Sequence, residues 1–136
     1  SGTAISAKQH NAAIRVIGVE PVVADDAYRS WKTGSIQVLT SAPTTMADGV
    51  RTTSIGERTF ETMFANRLVD EIVTVTEDEI ASAVRVAWSR LHLALEPTGA
   101  LPLAAHLAGK LPEGATGLIL TGGNANLETV ATLLRH

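Results

Sequence analysis

Gly117-Leu118-Ile119-Leu120-Thr121-Gly122-Gly123-Asn124 opens the last stretch of a 136-residue chain, and a helical pattern runs on from about Leu127 to Leu134. A continuous apolar run is what a strand buried on both faces requires. A glycine turn and then a helix complete the grammar of a parallel α/β sheet. Thr121-Gly122-Gly123-Asn124 would lie at the carboxyl end of that strand, the edge where open α/β sheets hold ligands. A tight turn with Asn124 or Asn126 capping the helix reads equally well from spacing alone.

Working back from this point, Ala100 to Lys110 is apolar nearly all round, which predicts a helix buried between layers, with Pro102 harmless in its first turn. Glu96-Pro97-Thr98-Gly99 breaks the chain before it. Thr76 and Glu79 form a capping box, and behind them Ile80, Ala83, Val84, Ala87, Trp88 and Leu91 recur at helical spacing on one face. Ile72 to Val75 predicts a short strand and Arg58 to Leu68 a helix. Residues 35 to 56 have no sustained periodicity and predict a long loop, a class of segment that often carries function. Asp25 to Trp31 predicts a helix stopped at Thr33-Gly34, and Ile14 to Val19 a strand ended by Glu20-Pro21. Ser1 to His10 reads as a helix that starts abruptly, as if the chain were cut there.

Composition narrows the function classes. The length suits one domain, able to bury roughly two thirds of its unfolded surface. With 45% hydrophobic and 18% charged residues the chain is expected to be globular and soluble. Eleven basic against 14 acidic residues leave a net charge of −3 with no basic face, which argues against nucleic acid and anionic membrane as partners. Zero cysteines exclude disulfides, thiolate metal sites and cysteine nucleophiles, and the cytoplasm is the expected compartment. No targeting segment or membrane span is expected.

Few constellations could carry chemistry. Glu20, Asp25 and Asp26 form an oxygen-rich cluster of the type Mg²⁺ or Ca²⁺ prefers, although acidic residues between strand and helix also serve as solvated caps. Asp48-Gly49 is a turn signal first and a ligand contact second. His10, His92, His106 and His136 show no metal spacing, with His92 and His106 expected in helices. No dinucleotide, P-loop or hydrolase-elbow motif occurs. Lys8, Lys32 and Lys110 sit in contexts typical of solvated side chains, and none reads as a buried Schiff-base lysine.

The ordered segments SGTAISAK (1–8), VIGVEPVVADDAY (16–28), ADGV (47–50), SIGERTFE (54–61), LVDEIVTVTEDEI (68–80), LEPTGALPLAA (95–105) and LILTGGNANL (118–127) resemble the threonine dehydratase and serine racemase family. These are fold-type II pyridoxal-phosphate enzymes. The resemblance runs nearly end to end but matches only the C-terminal portion of such an enzyme. It implies an α/β fold, a parallel twisted sheet flanked by helices, forming part of the large domain of a tryptophan synthase beta-like enzyme. Residues 1–136 would be the C-terminal part of that pyridoxal-phosphate-binding domain. The N-terminal half would be absent, with the small domain, the glycine-rich phosphate loop and the cofactor-holding lysine.

By the same resemblance Thr121 matches the Ser or Thr whose hydroxyl faces the pyridine nitrogen of pyridoxal 5'-phosphate. Gly122 and Gly123 let the backbone pass close to the ring, and Asn124 holds the turn. Glu96 matches a glutamate near the ring, and Gly49 a backbone carbonyl on the substrate side. Glu20, Ala24 and Asp26 match a divalent-cation site, with Ala24 supplying its carbonyl oxygen to Mg²⁺ or Ca²⁺. The implied activity is deamination of a small β-hydroxy amino acid such as serine, threonine or 3-hydroxyaspartate to a 2-oxo acid and ammonia. Serine racemisation is the alternative, as is a catalytically silent fragment that needs a partner polypeptide. A homodimer is implied. Half of such a domain is expected to expose apolar surface and to need its complement.

Overall fold

The computed structural model describes residues 1–135, and His136 lies outside them. Two five-residue strands, β1 (Ile17–Pro21) and β2 (Glu71–Val75), pair in parallel with Ile17 opposite Glu71 and Pro21 opposite Val75. Parallel pairing needs a long crossover, and here it holds α2 (Asp26–Thr33), the irregular stretch 35–56 and α3 (Glu57–Phe60). Helix α1 (Gly2–His10) precedes β1, and α4 (Glu77–Ser89), α5 (Leu101–Leu107) and α6 (Leu127–Leu134) follow β2.

Side chains that alternate along β2 sort the helices onto two faces. Ile72 packs with Ala4 of α1, with Tyr28 and Trp31 of α2 and with Phe64. Val73 and Val75 pack with Ile80 and Val84 of α4 and Leu103 of α5. Ile80, Ala83, Val84 and Ala87 are fully buried, so the apolar stripe expected on α4 is the one that faces the core. Each fully buried Ile or Val contributes about 1.5–3 kcal/mol over an exposed one.

The capping box forms as expected: Thr76 Oγ1 accepts the Glu79 N–H, and Glu79 Oε2 accepts the Thr76 N–H at 2.7 Å. Lys110 Nζ donates to the same Glu79 oxygen and to Thr74 O, tying the end of β2 to the start of α4. Burial alone would raise the Glu79 carboxyl, but the Lys110 ammonium and the Thr76 N–H outweigh it and hold the group below its ordinary 4.5. Asp70 is likewise pushed up by burial and held down more strongly, by Lys8 at 2.8 Å and the Val16 N–H. A carboxyl depressed on folding lends stability that is complete above its unfolded pKa and lost as pH falls through the folded one. The melting temperature is therefore expected to fall below pH 4.5, and less steeply in Lys110→Met, as followed by circular dichroism; identical slopes would contradict this coupling.

Several local expectations differ from the structure. Residues 117–120 are not a paired strand: among the described residues no backbone hydrogen bond joins them to β1 or β2, and Ile119 is 58% exposed. An apolar run becomes a strand only where a neighbouring ladder accepts it, and among the described residues none does. The helix expected over Arg58 to Leu68 is one α turn followed by a π turn, Glu61–Ala65, in which the Asn66 N–H reaches Glu61 O. Leu91 lies past the end of α4 and is exposed, as is Leu107 at the end of α5. His92 also lies beyond α4, at φ 55°, whereas His106 is in α5. Lys8 and Lys110 are paired, and Lys32 lies over the Tyr28 and Trp31 rings, so none of the three is simply solvated. Among the described residues no helix is long and apolar enough to cross a membrane.

Candidate functional site

Thr121 and Gly122 pass directly over the turn 96–99. The Glu96 N–H donates to Gly122 O at 2.7 Å, and the Gly122 backbone, at φ 79°, lies against the Glu96 side chain. A Cβ there would fall 2.6 Å from Glu96 Cγ, and the positive φ is itself strained for any other residue, so glycine is required twice over. Gly99 is the counterpart on the turn itself: its missing Cβ leaves the room that the Thr121 carbonyl occupies. Gly123 has open space on its Cα, with only Ala94 O at 3.8 Å. Thr121, Gly123 and Asn124 are exposed, and the Thr121 hydroxyl makes no hydrogen bond among the described residues. Asn126, rather than Asn124, caps α6, accepting the Glu128 and Thr129 N–H groups.

The loop 45–51 reaches the same turn from the other side. Gly49 N–H donates to Thr98 Oγ1 at 3.0 Å. Glu77, at the start of α4, sets the far end of this loop by accepting the Thr45 hydroxyl at 2.6 Å and the Met46 N–H at 2.7 Å. Arg51 closes the loop by donating twice to Thr45 O. Trp88 Nε1 donates to Leu95 O and fixes the approach to Glu96. Gly49, Glu96 and Thr121 to Gly123, separated by up to 74 positions, thus converge on the single turn 96–99.

Glu20, Ala24 and Asp26 lie apart from this cluster, where β1 runs into α2. Glu20 Oε2 accepts the Tyr28 N–H at 2.8 Å, which turns its carboxylate back over the first turn of α2. Burial pushes the Glu20 carboxyl up to about 7 against that hydrogen bond, and the Asp26 and Asp25 charges add to the rise. Asp26 is 3% exposed and is also raised, by burial first and by Asp25 second. Arg29 Nε, 2.8 Å from Asp25 Oδ1 but off hydrogen-bond geometry, is the cation that the ion-pair distances place here. Desolvated like charges of this kind favour either a proton or a divalent cation. Among the described residues no group of three His, Cys, Asp or Glu side chains is placed to hold a metal; the set here is two carboxylates and a backbone carbonyl.

The family model described as pyridoxal-phosphate dependent enzyme matches residues 1–122, the span that holds the turn 96–99, the Gly49 loop and Thr121-Gly122. The chain belongs to the pyridoxal-phosphate dependent enzyme family. A serine racemase of Dictyostelium discoideum is 40% identical over 98% of this chain, and an L-threo-3-hydroxyaspartate ammonia-lyase of a Pseudomonas species is 38% identical over 99% of it. The chain spans 42% of the length of each of these relatives. Among solved structures, a threonine deaminase of T.th. superposes with a TM-score of 0.86 at 45% identity, covering 92% of this chain and 45% of that one. A maize serine racemase gives 0.84 at 33% identity, covering 98% and 42%.

Three residues of this pyridoxal-phosphate enzyme chain that order the site were not singled out from the sequence. Thr98 lay inside a segment read only as a chain break, Glu77 inside a helix start, and Thr45 inside an aperiodic loop. A charged first-turn residue one position past an N-cap that already has its box partner was the one available signal for Glu77.

Proposed function

We propose that the protein containing this chain is a pyridoxal-phosphate-dependent ammonia-lyase that converts a small β-hydroxy amino acid, such as threonine or serine, to a 2-oxo acid and ammonia. One observation carries the reading: an exposed threonine hydroxyl, with no hydrogen-bond partner among the described residues, stands at the head of a glycine turn seated on Glu96. These residues fit the cofactor, because Gly123 leaves open space beside the exposed Thr121 and Asn124, while the Gly122 backbone is held back against Glu96. When bound, pyridoxal phosphate supplies an electron sink for the substrate's α-carbon.

Within this reading Thr121 would offer the pyridine nitrogen a neutral hydroxyl. Unlike a carboxylate, a hydroxyl does not hold a proton on that nitrogen. A cofactor held in this way would be a moderate electron sink, which suits loss of a β-hydroxyl. Glu96, half-buried and pressed on Gly122, keeps the turn from collapsing into the ring's space. Asn124 extends the turn, and Gly49 presents backbone on the substrate side. Lys8, Lys32 and Lys110 are engaged away from residues 121–124, so the amine that holds the cofactor is assigned to the remainder of the enzyme. Glu20 and Asp26, with the Ala24 carbonyl, would hold Mg²⁺ or Ca²⁺, and the support for that assignment is the burial of Asp26 at the start of α2 with the Glu20 carboxylate turned over the same helix turn by the Tyr28 N–H. A homodimer is part of the same proposal.

Racemisation is the second reading, favoured by the 40% identity to a serine racemase. The full-length protein, loaded with pyridoxal phosphate, is expected to form 2-oxo acid from L-threonine, L-serine or L-threo-3-hydroxyaspartate faster than it forms any D-amino acid. Loaded enzyme that forms D-serine alone would replace the first reading by the second, and no turnover of any of the three would remove both. Calorimetry with Mg²⁺ is expected to show binding to the wild type and loss of at least tenfold in affinity in Asp26→Ala, roughly the effect of removing one of few charged ligands. Equal heats for both proteins would remove the cation site.

A further inference from the structure

The turn 96–99 touches both halves of the site, and one side chain joins them. Thr98 Oγ1 accepts the Gly49 N–H at 3.0 Å, and Thr98 Oγ1 and Cγ2 both lie 3.1 Å from where a Gly49 Cβ would stand. Two residues earlier the Glu96 N–H holds Gly122 O, and one residue later Gly99 backs onto the Thr121 carbonyl. The turn itself is closed by the Ala100 N–H on Glu96 O and Pro97 O. Loop tip 48–50, by contrast, is otherwise hydrogen-bonded only within its own loop among the described residues, through Asp48 to Met46, Val50 to Ala47 and Arg51 to Asp48. Glu77 holds the base of that loop but not its tip.

We propose that Thr98 is a positioning residue whose hydroxyl sets the separation between the substrate-side loop at Gly49 and the cofactor-side turn at Gly122. This rests on the proposed reading of those two segments. Gly49 has no side chain to lock itself, so its peptide is placed by what accepts its N–H. That acceptor sits two residues from the peptide that holds Gly122, so the two segments are held in register through a closed, half-buried turn. Losing the acceptor leaves an N–H to find water and lets the tip drift, and displacement of about 1 Å at a reacting centre costs on the order of 100-fold in rate at worst.

The test uses the full-length enzyme with pyridoxal phosphate. In Thr98→Val, which keeps the shape and removes the acceptor, the KM for the amino acid is expected to rise and kcat/KM to fall by about tenfold. Cofactor content is expected to stay at the wild-type level, and amide exchange over residues 46–51 to accelerate. Thr98→Ser, which restores the acceptor, is expected to return both readouts to near wild type. Wild-type exchange in Thr98→Val, or a serine variant as defective as the valine one, would overturn the proposal. Should the valine variant fail to fold, Gly49→Ala decides, since its methyl would meet Thr98 Cγ2 at 3.1 Å. Its faster exchange is expected to be partly relieved by adding Thr98→Ser, which removes Cγ2 and keeps Oγ1, and strict additivity of the two would overturn the proposal as well. The exchange arm does not depend on turnover, so an enzyme that acts on none of the β-hydroxy amino acids fails the proposed reaction while still deciding the role of Thr98.

Discussion

Replacing Gly99 by alanine is expected to destabilise the protein by about 2–4 kcal/mol, the upper range for overpacking a site whose neighbour cannot step aside. The added Cβ would overlap the Thr121 carbonyl oxygen and sit 2.7 Å from its carbon. Both are backbone atoms, so no rotamer change relieves the clash. Relief requires the segment 121–122 to lift from the turn, which breaks the 2.7 Å hydrogen bond from the Glu96 N–H to Gly122 O. In the full-length enzyme the urea midpoint should fall with little change in slope, and cofactor affinity should fall with it. Gly117→Ala is the control: nothing among the described residues lies within 4 Å of its Cβ position, and its expected change is within about 0.5 kcal/mol. Equal midpoints for the two variants would mean that the Gly99–Thr121 approach is not a feature of the native state.

Glu77→Ala is expected to cost about 2–4 kcal/mol and to release the loop that carries Gly49. Its carboxylate accepts from the Thr45 hydroxyl and the Met46 N–H, and Thr45 is 3% exposed, so water cannot freely replace both acceptors. A buried donor stranded in this way costs about 1–3 kcal/mol, more when its partner was charged. A smaller loss, about 0.3–1 kcal/mol, comes from removing a negative charge from the first turn of α4. Asp78→Ala separates the two contributions, because Asp78 is an acidic residue in the same turn with no hydrogen-bond partner among the described residues. Thermal denaturation should show a small loss for Asp78→Ala and a large one for Glu77→Ala. Amide exchange over 45–51 should accelerate only in the latter, and comparable losses in both would assign the whole effect to the helix dipole.

Local elements were legible wherever a short-range rule decides them. The capping box at Thr76, the apolar stripe from Ile80 to Ala87, the stop at Gly34 and the N-cap position before Leu127 are each settled within a few residues, and the structure agrees. The apolar run 117–120 shows where such rules stop, since its composition suits a strand but the ladder it would join is a tertiary matter. Leu91 shows it again: helical spacing places it on the core face, but the helix ends at Ser89.

For the site, the sequence by itself supplied the candidates, Glu96 and Gly49 only through the family resemblance of the ordered segments, and the hydroxyl and glycines at 121–123 and the acids Glu20, Asp25 and Asp26 through residue type and order as well. Only the tertiary structure decided what holds them. Gly49, Thr98 and Gly122 meet across 73 positions because Glu77 and Trp88 fix two loops to one helix and because Gly99 has no side chain to keep Thr121 away. Such contacts arise from the volumes and unpaired donors of residues distant in the chain, and no local pattern records them.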